Sequence, residues 1–356
     1  MNGTTRQRFV TTRQFKRWES QRQGYWHLRS ILCRTVATTA VDWHQRIAPR
    51  SSCDLFIKTR EGTAMMESNF RHIQVEPEAH GFGARVTGIS IDKPLTAAVL
   101  EEVKEAWARH SVIYFPDQPL SHTQLEAFTL QFGEFGIDPY IVPMEAHPHI
   151  LELRREPDEK AVNFGAQWHS DWSFQEQPPA GTILHSKITP PVGGDTLFAD
   201  GYRAYDDLSE TMKGLLSRLA AIHSASMPYG KNGLFAKETE ARSMKIVVSE
   251  DADKTWPHPL VRVHPVTGRN SLYVSPVYTQ GIQGLTHGES SALLSYLYQH
   301  MVQDKYIYRH RWAPNMLTLW DNRCTLHNAE GGYDGHLRVM HRTTISGERP
   351  VGITAV

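Results

Sequence analysis

From about residue 70 onward, this chain reads as many short strand-like runs scattered among a few helical ones, with no regular strand–helix–strand alternation. That pattern argues against a doubly wound parallel sheet. It favours an antiparallel barrel or sandwich with helices packed outside it, an α+β or mainly-β fold. Strand signals fall at 72–75, 81–89, 111–115 (stopped by Pro116), 183–189 and 196–199. Two more, at 260–264 and 271–275, flank a turn cluster and read as a hairpin. Segments 316–320 and 337–345 read as the last two strands. Helical spacing predicts helices over 96–108, 121–132, 204–221 and 289–303. The second carries Ser121 as N-cap with Gln124 three residues on. Residues 226–256 are polar and irregular and suit an inserted lid or surface excursion.

The first 64 residues differ from the rest. They hold ten Arg and two Lys against four acidic residues, and no strand or helix period persists. Three readings fit this leader: a mis-assigned start with translation from Met65 or Met66, an Arg-rich transit peptide, or a disordered basic arm. The folded domain is expected over 70–350. Basic and acidic residues balance at 38 each, so no whole-chain field favours nucleic acid or a membrane surface. No apolar run approaches the roughly 20 residues of a membrane span. Cys33, Cys53 and Cys324 form no CxxC pair and no disulfide framework, and a reducing, cytoplasmic compartment is the default.

Chemistry concentrates in two places. In Trp168-His169-Ser170-Asp171, an extended backbone would turn His169 and Asp171 to the same face, about 6.5–7 Å apart along the chain. A third ligand must come from elsewhere, and His327 is the leading candidate, expected at the end of the strand carrying Trp320-Asp321-Asn322-Arg323. Two imidazoles and one carboxylate suit a mononuclear non-haem iron(II) site with open positions. Zinc hydrolases also use such a set, and an isolated HxD is more often a surface pair. The second place is Arg338-Val339-Met340-His341-Arg342. Strand alternation puts Arg338 and Arg342 on one face, roughly 13 Å apart along it, and turns His341 away. One guanidinium could anchor the distal carboxylate of 2-oxoglutarate and the other an anionic group of a substrate. A zinc hydrolase gives these arginines no task, and no glutamate base accompanies the histidines as in HExxH.

The chain resembles the taurine dioxygenase family of Fe(II)/2-oxoglutarate enzymes, which includes the dichlorophenoxyacetate dioxygenases. The resemblance runs from about 72 to 350. It rests on Trp168-His169-Ser170-Asp171, Pro178-Pro179-Ala180-Gly181, Gly193-Gly194-Asp195-Thr196-Leu197, His264-Pro265-Val266-Thr267-Gly268, Trp320-Asp321-Asn322-Arg323 with His327, and the arginine block. It implies a double-stranded β-helix (jelly-roll) core with flanking helices. It implies His169, Asp171 and His327 as iron ligands, and Arg338 and Thr196 as partners of the far carboxylate of 2-oxoglutarate. Arg342 is implied as the anchor of the substrate's acidic group. Related halogenases lack the carboxylate that Asp171 supplies, so its presence argues for oxygen insertion.

Departures fall where substrate is recognised. Taurine dioxygenase has a His and a Tyr in the region aligned with 136–143, where this chain has Asp138 and Ile141. Gly165 replaces an Asn, and Tyr278 stands where an aromatic Phe precedes a Thr. Asp138 and Tyr278 are candidate pocket residues, and taurine itself is a doubtful substrate. The expected partners are O2 and a small anionic molecule such as a sulfonate, a sulfate ester or an aryloxy or other carboxylic acid. Neither nucleic acid nor membrane is expected, and a homo-oligomer is left open. The competing expectation is a family member that binds metal or ligand without turnover.

Overall fold

Helices form where the sequence writes a cap. In the computed structural model, which describes residues 70–353, Thr96 accepts from the backbone N–H of Val99 and opens the helix Ala97–His110. Ser121 and Gln124 close a reciprocal capping box on His122–Leu130, and Thr286 and Glu289 do the same on His287–Met301. The basic leader 1–64 lies outside the described residues.

Strands outnumber the helices. In chain order they are β1 (Gln74–Pro77), β2 (Ala84–Thr87), β3 (Val112–Phe115), β4 (Leu151–Arg155), β5 (Gly181–Ile188), β6 (Thr196–Asp200), β7 (Ala220–Ser224) and β8 (Thr255–Pro259). They continue with β9 (Val261–Val263), β10 (Asn270–Leu272), β11 (Thr279–Ile282), β12 (Ile307–His310), β13 (Leu317–Asp321), β14 (Thr325–Ala329) and β15 (Arg338–Ile345). A seven-stranded sheet runs β1-β2-β3-β13-β5-β15-β4. Its β2–β3 pair is parallel; its other pairs are antiparallel. Two three-stranded sheets, β12-β6-β14 and β11-β7-β8, and the β9–β10 hairpin complete the set.

Alternation along the large sheet sorts side chains to two faces. Ile113, Ile183, Leu317 and Leu319 pack outward against Val103, Ala106 and Trp107 of the first helix and Leu125 and Phe128 of the second. Val112, Leu184, Trp320 and Met340 point the other way and meet Phe198 from β6. This inner space, between the large sheet and β12-β6-β14, also receives the charged side chains described below. An aromatic group of Tyr140, Trp172, Phe174, Tyr229 and Tyr278 packs with Met244 at one side of it.

Two sequence expectations are corrected. The single helix over 204–221 is absent. Asp200 caps a short helix Gly201–Asp206, Ser209 caps a second one at Glu210–Leu216, and Ala220–Ser224 is β7, paired with β8 and β11. The caps restart the backbone, and β pairing overrides the helical spacing of the last turn. His327 is not at the end of the strand bearing Trp320. It lies within a separate strand, β14, so β13 and β15 are not consecutive.

Candidate active site

His169 and His327 are brought together by backbone pairing. Each donates its N–H to the other's carbonyl, at 3.0 and 2.7 Å, as an antiparallel bridge. The two imidazole rings therefore sit side by side, with centroids 4.2 Å apart. Nδ1 of His169 is 2.6 Å from the carbonyl of Gln167 and donates to it, which leaves Nε2 as a lone-pair donor to a metal. Asp171 is almost fully buried, and its Oδ1 lies 3.6 Å from Nε2 of His169 and 3.8 Å from Nε2 of His327. One ligand atom from each of the three residues falls within a 4.8 Å sphere of mutual distance. Two imidazole nitrogens and one carboxylate oxygen, converging in a buried space, fit a single iron(II) ion.

Electrostatics hold Asp171 and His327 in ligating form. Burial alone would raise the Asp171 pKa, but Arg342, then His327 and His169, hold it well below the usual carboxylate range. Burial, with His169 beside it, lowers His327 to about 3, so its imidazole stays neutral.

The two arginines of β15 do point to one face, and both line the cavity that contains the triad. Their surroundings differ. Arg338 is buried with one weak side-chain hydrogen bond among the described residues, Nη2 to the Gly194 carbonyl at 3.4 Å, and its Nε has no partner. Burial pulls its pKa down, against a smaller opposing effect from Tyr333, whose ring lies 5.8 Å from its guanidinium carbon. A buried cation with free donors is costly unless an anion completes it. Thr196 lines the same cavity; its hydroxyl accepts from Nε1 of Trp312 at 3.1 Å, which leaves its own hydrogen free to donate. Arg338 and Thr196 thus offer a ready seat for a carboxylate.

Arg342 is compensated instead. Its Nη2 lies 3.3 Å from Asp171 Oδ1 and 3.6 Å from Asp138 Oδ1, and its guanidinium carbon lies 4.7 Å from the Trp172 ring centroid. Neither ionic contact has hydrogen-bond geometry, and Nε and Nη2 remain without a partner among the described residues. Burial would lower its pKa; the two carboxylates raise it.

Asp138 lines none of the cavities around the triad. It stands behind Arg342, accepting from Nε1 of Trp172 and from the Thr344 hydroxyl at 3.0 Å. Tyr278 lies on the far side of His169, ring centroids 6.2 Å apart, in a second cavity. That cavity is lined mainly by apolar and aromatic groups, including Phe164, Leu234, Phe235 and Val277, and it shares Asn163, Phe164, Gly165 and His169 with the first. The segment 226–256 supplies walls to both: Arg242 and Met244 to one, Pro228, Tyr229, Leu234 and Phe235 to the other. Trp172, Trp312 and Thr182 escaped sequence reasoning. Trp172 carries one signal, adjacency to Asp171; its φ of 47° is a left-handed conformation rare for a bulky residue.

A second group of possible ligands, His264, Asp321 and Cys324, is also buried. His264 Nδ1 accepts from the backbone N–H groups of Val266 and Thr267, so Nε2 carries the proton and donates to Asp321 at 3.0 Å. Arg323 saturates the same carboxylate with bonds of 2.9 and 2.6 Å, and burial pushes the Cys324 thiol far up. Asp321 and His264 are thus committed to a closed polar network, and Cys324 stays a neutral thiol.

Residues 74–344 match the model of the taurine catabolism dioxygenase TauD, TfdA family. The chain belongs to this family. It is 31% identical over 282 residues to an alpha-ketoglutarate-dependent sulfate ester dioxygenase of Pseudomonas putida, covering 79% of this chain and 92% of that one. It is 32% identical over 277 residues to an (S)-phenoxypropionate/alpha-ketoglutarate-dioxygenase of Sphingobium herbicidovorans, covering 77% and 95%. The crystal structure of a taurine dioxygenase from Burkholderia xenovorans superposes with a TM-score of 0.67 at 31% identity, over 79% of this chain and 92% of that one. The protein is accordingly a 2-oxoglutarate-dependent dioxygenase, an oxidoreductase whose metal is iron(II). The zinc-hydrolase and non-catalytic readings find no support in these relatives. Among the described residues no helix is long and apolar enough to cross a membrane.

Proposed function

We propose that His169, Asp171 and His327 hold the iron, that Arg338 and Thr196 hold the distal carboxylate of 2-oxoglutarate, and that Arg342 anchors the acidic group of a small organic substrate. The seven-stranded sheet and β12-β6-β14 are then the two walls of a double-stranded β-helix. The observation that carries the reading is the contrast within β15. Among the described residues Arg338 is a buried cation without a counter-anion, in the cavity that holds the triad. Bound iron(II) supplies oxygen activation coupled to decarboxylation: 2-oxoglutarate, O2 and a substrate C–H give succinate, CO2 and a C–OH.

The chain's own residues bind, orient and exclude water. Arg338 and the free Thr196 hydroxyl fix one end of 2-oxoglutarate, and the other end is directed to the triad, which lines the same cavity. Nε and Nη2 of Arg342 are open donors beside Asp171, so an anion there is held next to the metal without ligating it. The apolar cavity around Phe164, Phe235, Val277 and Tyr278 receives the hydrocarbon part and keeps the reacting carbon dry. Sulfate esters, sulfonates and aryloxy acids all have this form, an acidic head on an apolar body.

The test is succinate formation from 2-oxoglutarate by anaerobically iron-loaded protein after oxygen is admitted, across alkyl sulfates, sulfonates and aryloxy acids. Succinate that rises with one class and disappears in His169→Ala is the expected result. Protein that binds neither iron nor 2-oxoglutarate would end the proposal.

A further inference from the structure

Asp171 has two oxygens, and Oδ1 is the one that approaches both histidines, at 3.6 and 3.8 Å. We propose that Thr182 and Asn322 are positioning residues that decide this, a relay that ties Oδ2 back and presents Oδ1 to the metal. The inference rests on the iron-site reading above and extends it beyond the three ligands.

The relay starts at a group that can only donate. Nε1 of Trp320 donates to Asn322 Oδ1 at 3.0 Å, so the amide oxygen must face the indole and the amide nitrogen must face away. That nitrogen donates to Thr182 Oγ1 at 2.9 Å. The Thr182 hydroxyl therefore receives a hydrogen bond from a group that cannot accept one, and its single hydrogen must go elsewhere. It goes to Asp171 Oδ2 at 2.7 Å, a buried charge-assisted bond. The direction of all three bonds is thus fixed by the indole N–H. Asn322 is itself pinned: its backbone N–H donates to the Ala180 carbonyl at 3.0 Å, and its carbonyl accepts from the Ser170 hydroxyl at 2.6 Å. Thr182, Asn322 and Asp171 are each at most 1% exposed, so water offers no substitute partner.

Sheet register makes the relay possible. β5 and β13 pair with Trp320 opposite Thr182, which brings Asn322 beside Thr182 across 140 residues of sequence. Thr182 thus joins the ligand-bearing segment to the turn that leads into β14 and His327. With Oδ2 occupied, Asp171 is set to ligate through one oxygen, which conserves open positions for 2-oxoglutarate and O2. A carboxylate free to rotate would lose that preset orientation.

The experiment measures iron(II) affinity of the metal-free protein under anaerobic conditions by chelator competition, alongside the unfolding midpoint of the metal-free form. Thr182→Val keeps shape and removes the hydroxyl; Thr182→Ala replaces it if the former does not fold. Affinity is expected to fall about 10- to 100-fold in Thr182→Val and to return in Thr182→Ser. Asn322→Leu, which frees the Thr182 hydroxyl to rotate, is expected to fall by a smaller factor. A parent chain that binds no iron(II) would sink the iron-site reading together with the relay. A parent that binds, with Thr182→Val within about twofold of it, would overturn the relay alone. So would weakened binding that Thr182→Ser fails to restore, since that outcome marks a packing effect.

Discussion

Replacing Arg338 by Met separates the binding role of this residue from any structural one. The guanidinium is buried, its Nε has no partner, and its one side-chain hydrogen bond among the described residues is 3.4 Å long. Removing it therefore breaks little in the metal-free protein and relieves a buried, uncompensated charge. Exchanging buried ionic groups for apolar ones of similar volume has gained about 1–4 kcal/mol elsewhere, and a gain toward the lower end of that range is expected here. The cost appears only with cosubstrate. Truncating one partner of a buried, hydrogen-bonded charge pair costs about 2–5 kcal/mol, which is about 30-fold to a few thousand-fold in affinity for 2-oxoglutarate. Calorimetric titration of the metal-loaded protein with 2-oxoglutarate, and denaturant unfolding of the metal-free protein, measure the two quantities. Affinity retained within about threefold, or a metal-free form several kcal/mol less stable, would refute the reasoning. The first outcome would remove the carboxylate seat, and the second would show that Arg338 is already paired.

Arg342→Met is expected to do the opposite, destabilising the metal-free protein by about 3–5 kcal/mol because Asp171 and Asp138 are left buried without their cation; denaturant unfolding measures it, and saturating metal should recover part of the loss. Thr196→Val should weaken 2-oxoglutarate binding by about 1.5–3 kcal/mol, roughly 10- to 100-fold, with little effect on iron affinity in a chelator titration. Stability should also fall on acidification. His310 is buried and neutral, with burial holding its pKa at about 3 against an ordinary 6.5. Its contribution is complete above the unfolded value and is lost as pH falls from about 6.5 toward 3, because only the unfolded chain takes up the proton there. Between about pH 7 and pH 5 that is about 2 kcal/mol for this residue, and a His310→Gln variant should show a correspondingly flatter stability profile in denaturant titrations across that window.

What could be read from the chain was whatever is local. The capping box at Ser121–Gln124 marks a helix start because the cap and its partner lie three residues apart, whereas helical spacing alone starts the helix His287–Met301 at 289 and misses its Thr286–Glu289 box. His169 and Asp171 are legible as a pair for a similar reason, and alternation along β15 places both arginines in one cavity and His341 beside His122 on the outer side. Non-local pairing was hidden. β4 and β12 are short and carry polar residues, and they are strands because β15 and β6 offer them ladders from distant parts of the chain. The first two residues of β7, Ala220 and Ala221, continue a helical pattern that two ladders override. Asp138 was legible as a departure from the family and not as what it is, a carboxylate behind Arg342 held by Trp172 and Thr344. The relay through Thr182 had no sequence signal, since it depends on the register of two strands whose contact no spacing rule foretells.

The two arginines of β15 show how one strand can give identical side chains different electrostatic surroundings. They lie four residues apart on the same face of one strand, and both are buried. Among the described residues Arg338 pairs with no carboxylate, so in the proposed function its charge is met by the carboxylate of the cosubstrate. Arg342 faces Asp171 and Asp138, so its charge is already balanced and its free N–H donors, more than its net charge, are what an incoming anion meets. In the proposed function the first arrangement favours obligatory capture of one cosubstrate. The second tolerates variation in the acidic head, because discrimination then depends on hydrogen-bond geometry at Arg342 and on the fit of the hydrocarbon body in the cavity beside Tyr278.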